Sequence, residues 1–176
     1  MKIAFIGYSG SGKSTLARTL GACYGAPVLH LDKVQFVPGW QLRDREEAQG
    51  LVAAFMRQDS WVIDGNYAAF FQEERLAAAD RIVFMDFPRL ACFFRALKRY
   101  CKHRNGTRAD MAEGCIEKMD AEFVWWLLFS GRTRRRRAHF AGIVERYGDK
   151  TAVLKNQRQL DAFVAAAQED AEPPQG

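Results

Sequence analysis

The stretch that decides the fold is Gly7-Tyr8-Ser9-Gly10-Ser11-Gly12-Lys13-Ser14-Thr15. Its first eight residues match the pattern GxxxxGK[ST], in which glycines let backbone amides approach phosphate oxygens. An apolar run at residues 2–6 precedes it, and an amphipathic helical pattern follows from residue 13. A glycine-rich turn that leads into a helix N-terminus is an anion site. We therefore predict a phosphate-binding loop made of Gly7, Ser9, Gly10, Ser11, Gly12, Lys13, Ser14 and Thr15.

Two side chains of this loop suit a nucleoside triphosphate. Lys13 can reach the β- and γ-phosphates, and Ser14 can offer its hydroxyl to Mg²⁺. A chance glycine-rich turn is the alternative. A dinucleotide site is disfavoured because the three glycines lack the GxGxxG spacing. The motif predicts ATP and Mg²⁺ as cofactors.

Short apolar runs alternate with helical patterns along the rest of the chain. The runs that predict strands are residues 2–6, 28–31, 61–63, 81–85 and 152–154. The patterns that predict helices are residues 13–24, 42–58, 68–78, 88–102, 115–129, 133–147 and 157–168. This alternation is typical of a doubly wound α/β fold, with a parallel sheet covered on both faces. We predict a single domain over residues 1–176 with a lid at roughly 104–137.

Acidic residues follow three of the predicted strands, namely Asp32, Asp64 and Asp86. In open parallel sheets, ligands bind at the carboxyl ends of the strands. Asp32 is predicted to orient an acceptor or take its proton, and Asp64 to hold a water bound to Mg²⁺ together with Ser14. Mg²⁺ keeps several waters, so few protein ligands are needed. A turn or helix cap is the alternative for each acid, and for Asp86 it is the favoured interpretation.

Arginines are concentrated between residues 132 and 137, where five of the six residues are arginine. Phosphoryl transfer needs positive charge around the moving group, and the guanidinium fork can pair two phosphate oxygens. On a helix Arg132 and Arg136 would share one face. We predict that these two act in catalysis while their neighbours are solvated. A charged lid surface is the alternative for any one of them.

Several further residues are predicted to bind the acceptor. Arg95 and Arg99 lie one helical turn apart in residues 89–108, a stretch without any acid. Trp40 follows a Pro-Gly turn behind Asp32. Asn66 and Tyr67 follow Gly65, which would let a substrate come close to the backbone. The predicted acceptor site therefore comprises Asp32, Trp40, Asn66, Tyr67, Arg95 and Arg99.

Composition favours a soluble cytoplasmic protein. The four cysteines (Cys23, Cys92, Cys101 and Cys115) form no CxxC pair, which is typical of reduced thiols rather than of a disulfide scaffold or zinc site. No apolar run approaches the ~20 residues of a membrane-spanning helix. The net charge is +5, and basic and acidic residues balance at 21 each once the five arginines are set aside. The charge excess is therefore local and predicts a polyanion nearby.

Four further segments carry a family resemblance: His30-Leu31-Asp32, Pro38-Gly39-Trp40, Trp61-Val62-Ile63-Asp64-Gly65-Asn66-Tyr67 and Asp86-Phe87-Pro88-Arg89. Together they resemble the DNA topology modulation proteins (FlaR-related), a group similar to adenylate kinases. The resemblance implies a P-loop NTPase of the nucleoside or nucleotide kinase type. It implies a five-stranded parallel sheet in the order 2-3-1-4-5, an ATP site and a helical lid with arginines.

These observations leave three functional hypotheses open. The first is transfer of the γ-phosphoryl group of Mg-ATP to a nucleoside, nucleotide or other small hydroxyl compound, by a monomer or homodimer. The second is an ATP-binding DNA topology modulator or regulator, supported by the pI of 9.2 and the arginine run. No helix-turn-helix or zinc-finger spacing supports nucleic-acid binding, however. The third is ATP binding without catalysis.

Overall fold

The computed structural model describes residues 1–103, 111, 114–115 and 119–171. Much of the predicted lid at 104–137, at residues 104–110, 112–113 and 116–118, lies outside the described residues. The C-terminal tail, residues 172–176, also lies outside them.

A five-stranded parallel sheet forms the centre of the molecule. Its strands are β1 (Lys2–Gly7), β2 (Val28–His30), β5 (Trp61–Asp64), β6 (Arg81–Met85) and β7 (Thr151–Leu154). They lie in the order β2-β5-β1-β6-β7, and every neighbouring pair is parallel. Ile3, Ala4, Phe5 and Ile6 are fully buried, as expected for a strand covered on both faces. The predicted α/β class and the order 2-3-1-4-5 are confirmed.

Helices cover both faces of this sheet. They are α1 (Lys13–Cys23), α2 (Leu31–Gln35), α3 (Arg45–Met56), α4 (Gln72–Ala78), α5 (Arg89–His103), α6 (Ala121–Leu128), α7 (Arg134–Arg146) and α8 (Gln157–Ala171). Each of the seven helical patterns in the sequence corresponds to one of them. The exception is α2, which the sequence did not predict.

The segment between β2 and α3 differs most from the prediction. Asp32 lies in the first turn of α2, one element beyond the end of the strand. A small antiparallel hairpin then follows, made of β3 (Phe36–Val37) and β4 (Gln41–Leu42). The predicted helix at 42–58 starts only at Arg45, because the Asp44 carboxylate accepts hydrogen bonds from the amides of Glu46 and Glu47 and caps the helix there.

Two other helices also begin later than predicted. Phe71 precedes α4 with φ of 53°, a left-handed conformation that no helix can include, so α4 begins at Gln72 and not at residue 68. The side chain of Asp120 accepts from the amide of Phe123 and caps α6, which therefore begins at Ala121 and not at residue 115.

Helix α5 turns only part of its apolar surface towards the core. Cys92 and Ala96 are fully buried, whereas Leu90 and Phe94 are largely exposed and Leu97 is about one third exposed. Within the described ranges, no helix combines the length and the apolar character that crossing a bilayer requires.

Candidate active site

The predicted phosphate-binding loop joins β1 to α1, the position that the sequence predicts for it. Gly7, Gly10 and Gly12 have φ of 138°, 74° and 97°, conformations that favour glycine. A Cβ at Gly7 would stand 2.5 Å from the carbonyl oxygen of Met85, and one at Gly10 would stand 2.5 Å from that of Cys92. The loop is therefore pressed against β6 and α5, and neither glycine can be replaced without moving a backbone.

Lys13 and Ser11 both turn back towards the start of the loop. Lys13 Nζ and Ser11 Oγ donate to the carbonyl oxygen of Tyr8 at 2.8 and 2.7 Å. Burial lowers the pKa of Lys13, while the carboxylates of Asp64 and Asp32 act on it in the opposite direction. The loop lysine thus lies within electrostatic reach of both predicted active-site acids.

Asp64 ends β5 in a buried position, only 5% exposed. Its Oδ2 lies 3.1 Å from Nδ1 of His30, a buried residue at the end of the neighbouring strand β2. Its Oδ1 has no hydrogen-bond partner within the described part of the chain. A buried carboxylate oxygen without a partner is costly, and a water on a hard cation would satisfy it. The residues therefore fit Mg²⁺ near Ser14 and Asp64.

Sequence reasoning missed the pairing of His30 with Asp64. It assigned no role to His30, because its partner does not stand near this residue along the chain. The two strands pair in register, with His30 directly opposite Asp64. The signal was the position of both residues at the ends of adjacent parallel strands.

Asp32 and Tyr67, both predicted to bind the acceptor, are brought together. The hydroxyl of Tyr67 donates to Asp32 Oδ1 at 2.6 Å. Burial raises the pKa of Tyr67, and the charge of Asp32 and its hydrogen bond raise it further. The tyrosine therefore stays protonated and acts as a donor that orients the carboxylate.

The side chain of Asn66 forms its hydrogen bonds with the predicted phosphate-binding loop itself. Its Nδ2 donates to the carbonyl oxygen of Gly7 at 2.6 Å, and its Oδ1 accepts from the amide of Gly7 at 2.9 Å. One side-chain amide thus holds both backbone groups of the first glycine in the loop. Its predicted role in acceptor binding remains a prediction.

A buried arginine that the sequence analysis overlooked holds the turn after β5. Arg75 is fully buried on α4. Its guanidinium donates to the carbonyl oxygens of Phe70, Tyr67 and Gly65 at 2.7, 2.9 and 3.3 Å. Burial lowers its pKa to about 10, which still leaves it charged at neutral pH. The sequence does contain a signal for this burial. Arg75 lies four residues after Phe71 and directly before Leu76, on the apolar side of the helix.

Arg95 and Arg99 line an open groove beside the loop. The groove holds about 700 Å³ between α1, α5 and α8, and Gly10, Gly12, Thr15 and Gln157 also border it. Arg95 donates to the carbonyl oxygen of Ser11 at 2.6 Å and bonds to Gln157, and its guanidinium lies 4.1 Å from the ring centre of Phe87. Both arginines therefore lie next to the outer side of the phosphate loop.

The arginine run does not form one continuous helix. Arg132 ends a short turn (Ser130–Arg132), Thr133 caps α7 and Arg136 lies within α7, so the expected common helical face of Arg132 and Arg136 is wrong. Arg132 turns inward: it donates to Phe87 O at 2.7 Å, lies 3.2 Å from Cys92 Sγ and stacks 3.8 Å over the ring of Tyr8. Arg136 is exposed, 5.6 Å over Trp126.

Trp40 lies in the turn between β3 and β4, the two strands of the hairpin. Gly39 and Trp40 both have positive φ, of 79° and 63°, and the Trp40 ring packs edge-on against Phe36 at 5.3 Å. Cys115, from the described part of the predicted lid, lies with its Sγ 3.6 Å from the carbonyl oxygen of Val37. At least one described residue of the predicted lid therefore contacts the hairpin.

Comparisons with known proteins show the fold. No protein-family model and no curated relative matches the chain. The chain is similar to the crystal structure of shikimate kinase from Bacteroides thetaiotaomicron, with 15% sequence identity and a TM-score of 0.50. The match covers 98% of this chain and 99% of that chain. An uncharacterized protein from Eubacterium ventriosum is 16% identical, with 97% and 98% covered at a TM-score of 0.55.

At identities this low, the comparisons show the fold alone. They do not show the resemblance to the topology modulation proteins. The parallel order of the strands and the position of the loop after β1 agree with this likeness, and the chain shares the α/β fold of that shikimate kinase.

Proposed function

We propose that this protein is an ATP-dependent phosphotransferase that moves the γ-phosphoryl group of Mg-ATP to a hydroxyl of a small acceptor. One observation carries the proposal. The glycine-rich loop that bears Lys13 joins β1 to α1, and at the same carboxyl edge of the sheet Asp64 ends β5 and Asp32 follows β2. A cation that faces a phosphate site, with two separated acids beside it, supplies the parts that phosphoryl transfer needs.

The donor would bind with its phosphates in the loop and its nucleoside in the adjoining groove. Backbone amides of residues 7–15 and the N-terminus of α1 favour the triphosphate. The groove between α1, α5 and α8 begins at Gly10, Gly12 and Thr15, so a nucleoside attached to that triphosphate would extend into it. We therefore assign Arg95 and Arg99 to the donor side of the site.

Mg²⁺ would be held by the hydroxyl of Ser14 and, through a water, by Asp64. The partnerless Oδ1 of Asp64 supports this assignment. An ion held there would offset the charge of the phosphates. His30, on the other carboxylate oxygen, fixes the orientation of Asp64.

The transfer step would use Asp32 as the proton acceptor. The acceptor oxygen forms a bond to the γ-phosphorus while the bond from that phosphorus to the β-γ bridging oxygen breaks, and ADP leaves with that electron pair. The hydroxyl proton passes to Asp32, which Tyr67 orients. Lys13 and Arg132 would stabilise the charge on the moving group. Arg132 already stacks on Tyr8 of the loop.

The acceptor would lie between Asp32, Tyr67 and the hairpin that carries Trp40. An aromatic ring beside a carboxylate suits a ring-bearing compound with hydroxyl groups, such as a nucleoside or a cyclic polyol. Shikimate itself belongs among the candidates, because one of the similar structures is a shikimate kinase.

The deciding experiment measures ADP release. Purified protein is incubated with Mg-ATP and, one at a time, nucleosides, nucleotides, sugars and shikimate. We expect one class of compound to raise ADP release well above the rate with ATP alone. ATP binding without release for any hydroxyl compound would contradict the proposal and would favour a regulator that uses ATP as a switch.

A further inference from the structure

Helix α4 bonds three consecutive carbonyl groups in the turn that follows β5. Arg75 holds those of Gly65 and Tyr67, and Gln72 Nε2 donates to the carbonyl oxygen of Asn66 at 3.1 Å. Asn66 in turn clamps both backbone groups of Gly7. A continuous series of hydrogen bonds therefore runs from Gln72 to the first glycine of the phosphate-binding loop.

The series continues to the helix that follows the arginine-rich turn. Nε2 of His139, on α7, lies 3.0 Å from Oε1 of Gln72. Because the Gln72 amide nitrogen already donates to Asn66, its oxygen must accept, so His139 carries its hydrogen on Nε2. A protonated imidazole would donate from the same atom. This contact therefore does not depend on the charge of His139.

The next residue of α7 packs against the same loop. The ring of Phe140 lies edge-on to Tyr8, with centroids 5.2 Å apart, and stacks on Phe84 at 4.9 Å. Helix α7 is thus attached to the loop at two adjacent residues. The link through His139, Gln72 and Asn66 reaches Gly7, and the link through Phe140 reaches Tyr8.

Gln72 is only 5% exposed, and both ends of its amide are used. A buried glutamine without partners costs about 1–3 kcal/mol per unsatisfied group, so an apolar residue would suffice if the position served packing alone. The amide instead connects two helices to the turn that holds Gly7.

We propose that Gln72, supported by His139, is a positioning residue for the phosphate-binding loop. It acts through Asn66 and fixes the orientation of the Gly7 peptide. Through His139 it also fixes the position of α7 and its arginines relative to the loop. Only the expected effect of Gln72 on ATP affinity rests on the proposed function. Its effect on Gly7 exists in the protein without nucleotide.

The test compares three variants at two positions. Gln72→Met keeps the length of the side chain and removes both hydrogen bonds. Gln72→Glu keeps an acceptor for His139 and loses the donor to Asn66. The matched control is Gln49→Met, because Gln49 Nε2 also donates to a backbone carbonyl, that of Ala69 at 2.8 Å, but has no bond to the phosphate loop.

The first measurement is hydrogen exchange at the amide of Gly7 in the protein without nucleotide. We expect both Gln72 variants to speed exchange by about tenfold, the size of one lost hydrogen bond, and Gln49→Met to leave it unchanged. The second is calorimetric titration with Mg-ATP. There we expect the dissociation constant to rise by about tenfold in both Gln72 variants and not in the control.

Two further variants separate positioning from simple packing. His139→Gln can still donate to Gln72, and His139→Leu cannot. We expect His139→Gln to retain Gly7 protection, and His139→Leu to lose part of it and to melt lower, because Gln72 Oε1 is left without its donor. In the double variant Asn66→Ala with Gln72→Met, exchange at Gly7 should be no faster than in Asn66→Ala alone, because the two residues act in series.

The outcomes are distinguishable. The inference is overturned if exchange at Gly7 is as slow in both Gln72 variants as in the wild type. It is also overturned if both variants bind Mg-ATP as tightly as the wild type, even if the protein is a phosphotransferase. If Gln72→Glu behaves like the wild type while Gln72→Met does not, the glutamine serves only the contact between α4 and α7, which also overturns it. A wild-type protein that does not bind ATP contradicts the proposed function, while the exchange measurement still decides the role of Gln72.

Discussion

The turn after β5 and the arginine-rich start of α7 are both polar, yet they are built in opposite ways. In the turn, Arg75 is fully buried and its guanidinium bonds three carbonyl groups. In α7, Arg134, Arg135 and Arg137 are exposed, and none of the ion pairs of the described residues includes them. One arginine is part of the protein interior, whereas the others lie in solvent.

The difference separates two uses of charge. A buried, fully bonded side chain fixes a backbone shape before any ligand arrives, and removing it leaves several polar groups unpaired. An exposed arginine contributes little to stability and can move towards an anion. The loop side of the site is therefore preorganised, and the arginine side is adjustable.

The largest effect is expected for Lys13→Ala. This change removes the charge at the centre of the preorganised side and should lower ATP turnover by at least about 10³-fold, in the range of a lost transition-state donor. Because burial lowers the pKa of Lys13, its charge opposes folding, and the melting temperature should not fall. Undiminished turnover with an unchanged circular dichroism spectrum would refute the donor site.

Asp32→Asn should follow, with turnover reduced by roughly 10²- to 10⁴-fold, as expected for loss of a general base. Tyr67→Phe removes only the hydrogen bond that orients this carboxylate, so a loss of about tenfold is expected, mainly in kcat. Initial rates of ADP release across acceptor concentrations check both. Equal losses in the two variants would mean that the tyrosine itself contacts the reacting groups.

Stability tests the comparison directly. Arg75→Leu leaves three carbonyl groups without their donor and should lower the free energy of unfolding by about 3 kcal/mol. Arg135→Leu, on the exposed surface, should change it by less than about 0.5 kcal/mol. Urea denaturation of the two variants gives both values. Similar losses would show that the exposed arginines are not adjustable but part of the folded framework.

The smallest effect concerns Asp86, which directly follows β6 and interacts electrostatically with Lys155 and Arg132. Burial raises its pKa, with both cations acting against that shift. An acid with a raised pKa destabilises the folded state while it is charged, and this penalty disappears as the pH falls through the folded pKa. Asp86→Asn should therefore melt slightly higher than the wild type at pH 7, with a difference that shrinks on acidification. A difference that grows in acid would contradict this sign.

Sequence reasoning predicted the sheet and the position of the glycine-rich loop because both have strong local signals. Five apolar runs of strand length mark the sheet, and the glycines with Lys13 and Ser14 mark the loop. Helix α2 and the hairpin were missed because five residues and two pairs of residues are too short for any periodicity to emerge.

The polar framework around the loop lay beyond sequence reasoning for a different reason. Asn66 and Gly7 are 59 positions apart, and His139 and Gln72 are 67 apart. Their pairing depends on how strands and helices pack, and a glutamine or histidine in a helical pattern is usually solvent-exposed. Asp32 and Tyr67 were both predicted to bind the acceptor, but only the folded chain reveals their mutual hydrogen bond.

The small hairpin has an evolutionary consequence. Phe36–Val37 and Gln41–Leu42 pair only with each other and with no strand of the five-stranded sheet. Insertions, deletions or exchanges within residues 36–42 would therefore leave the register of the main sheet untouched. Under the proposed function, changes in this segment would alter the acceptor side of the site and leave the sheet and the glycine-rich loop as they are.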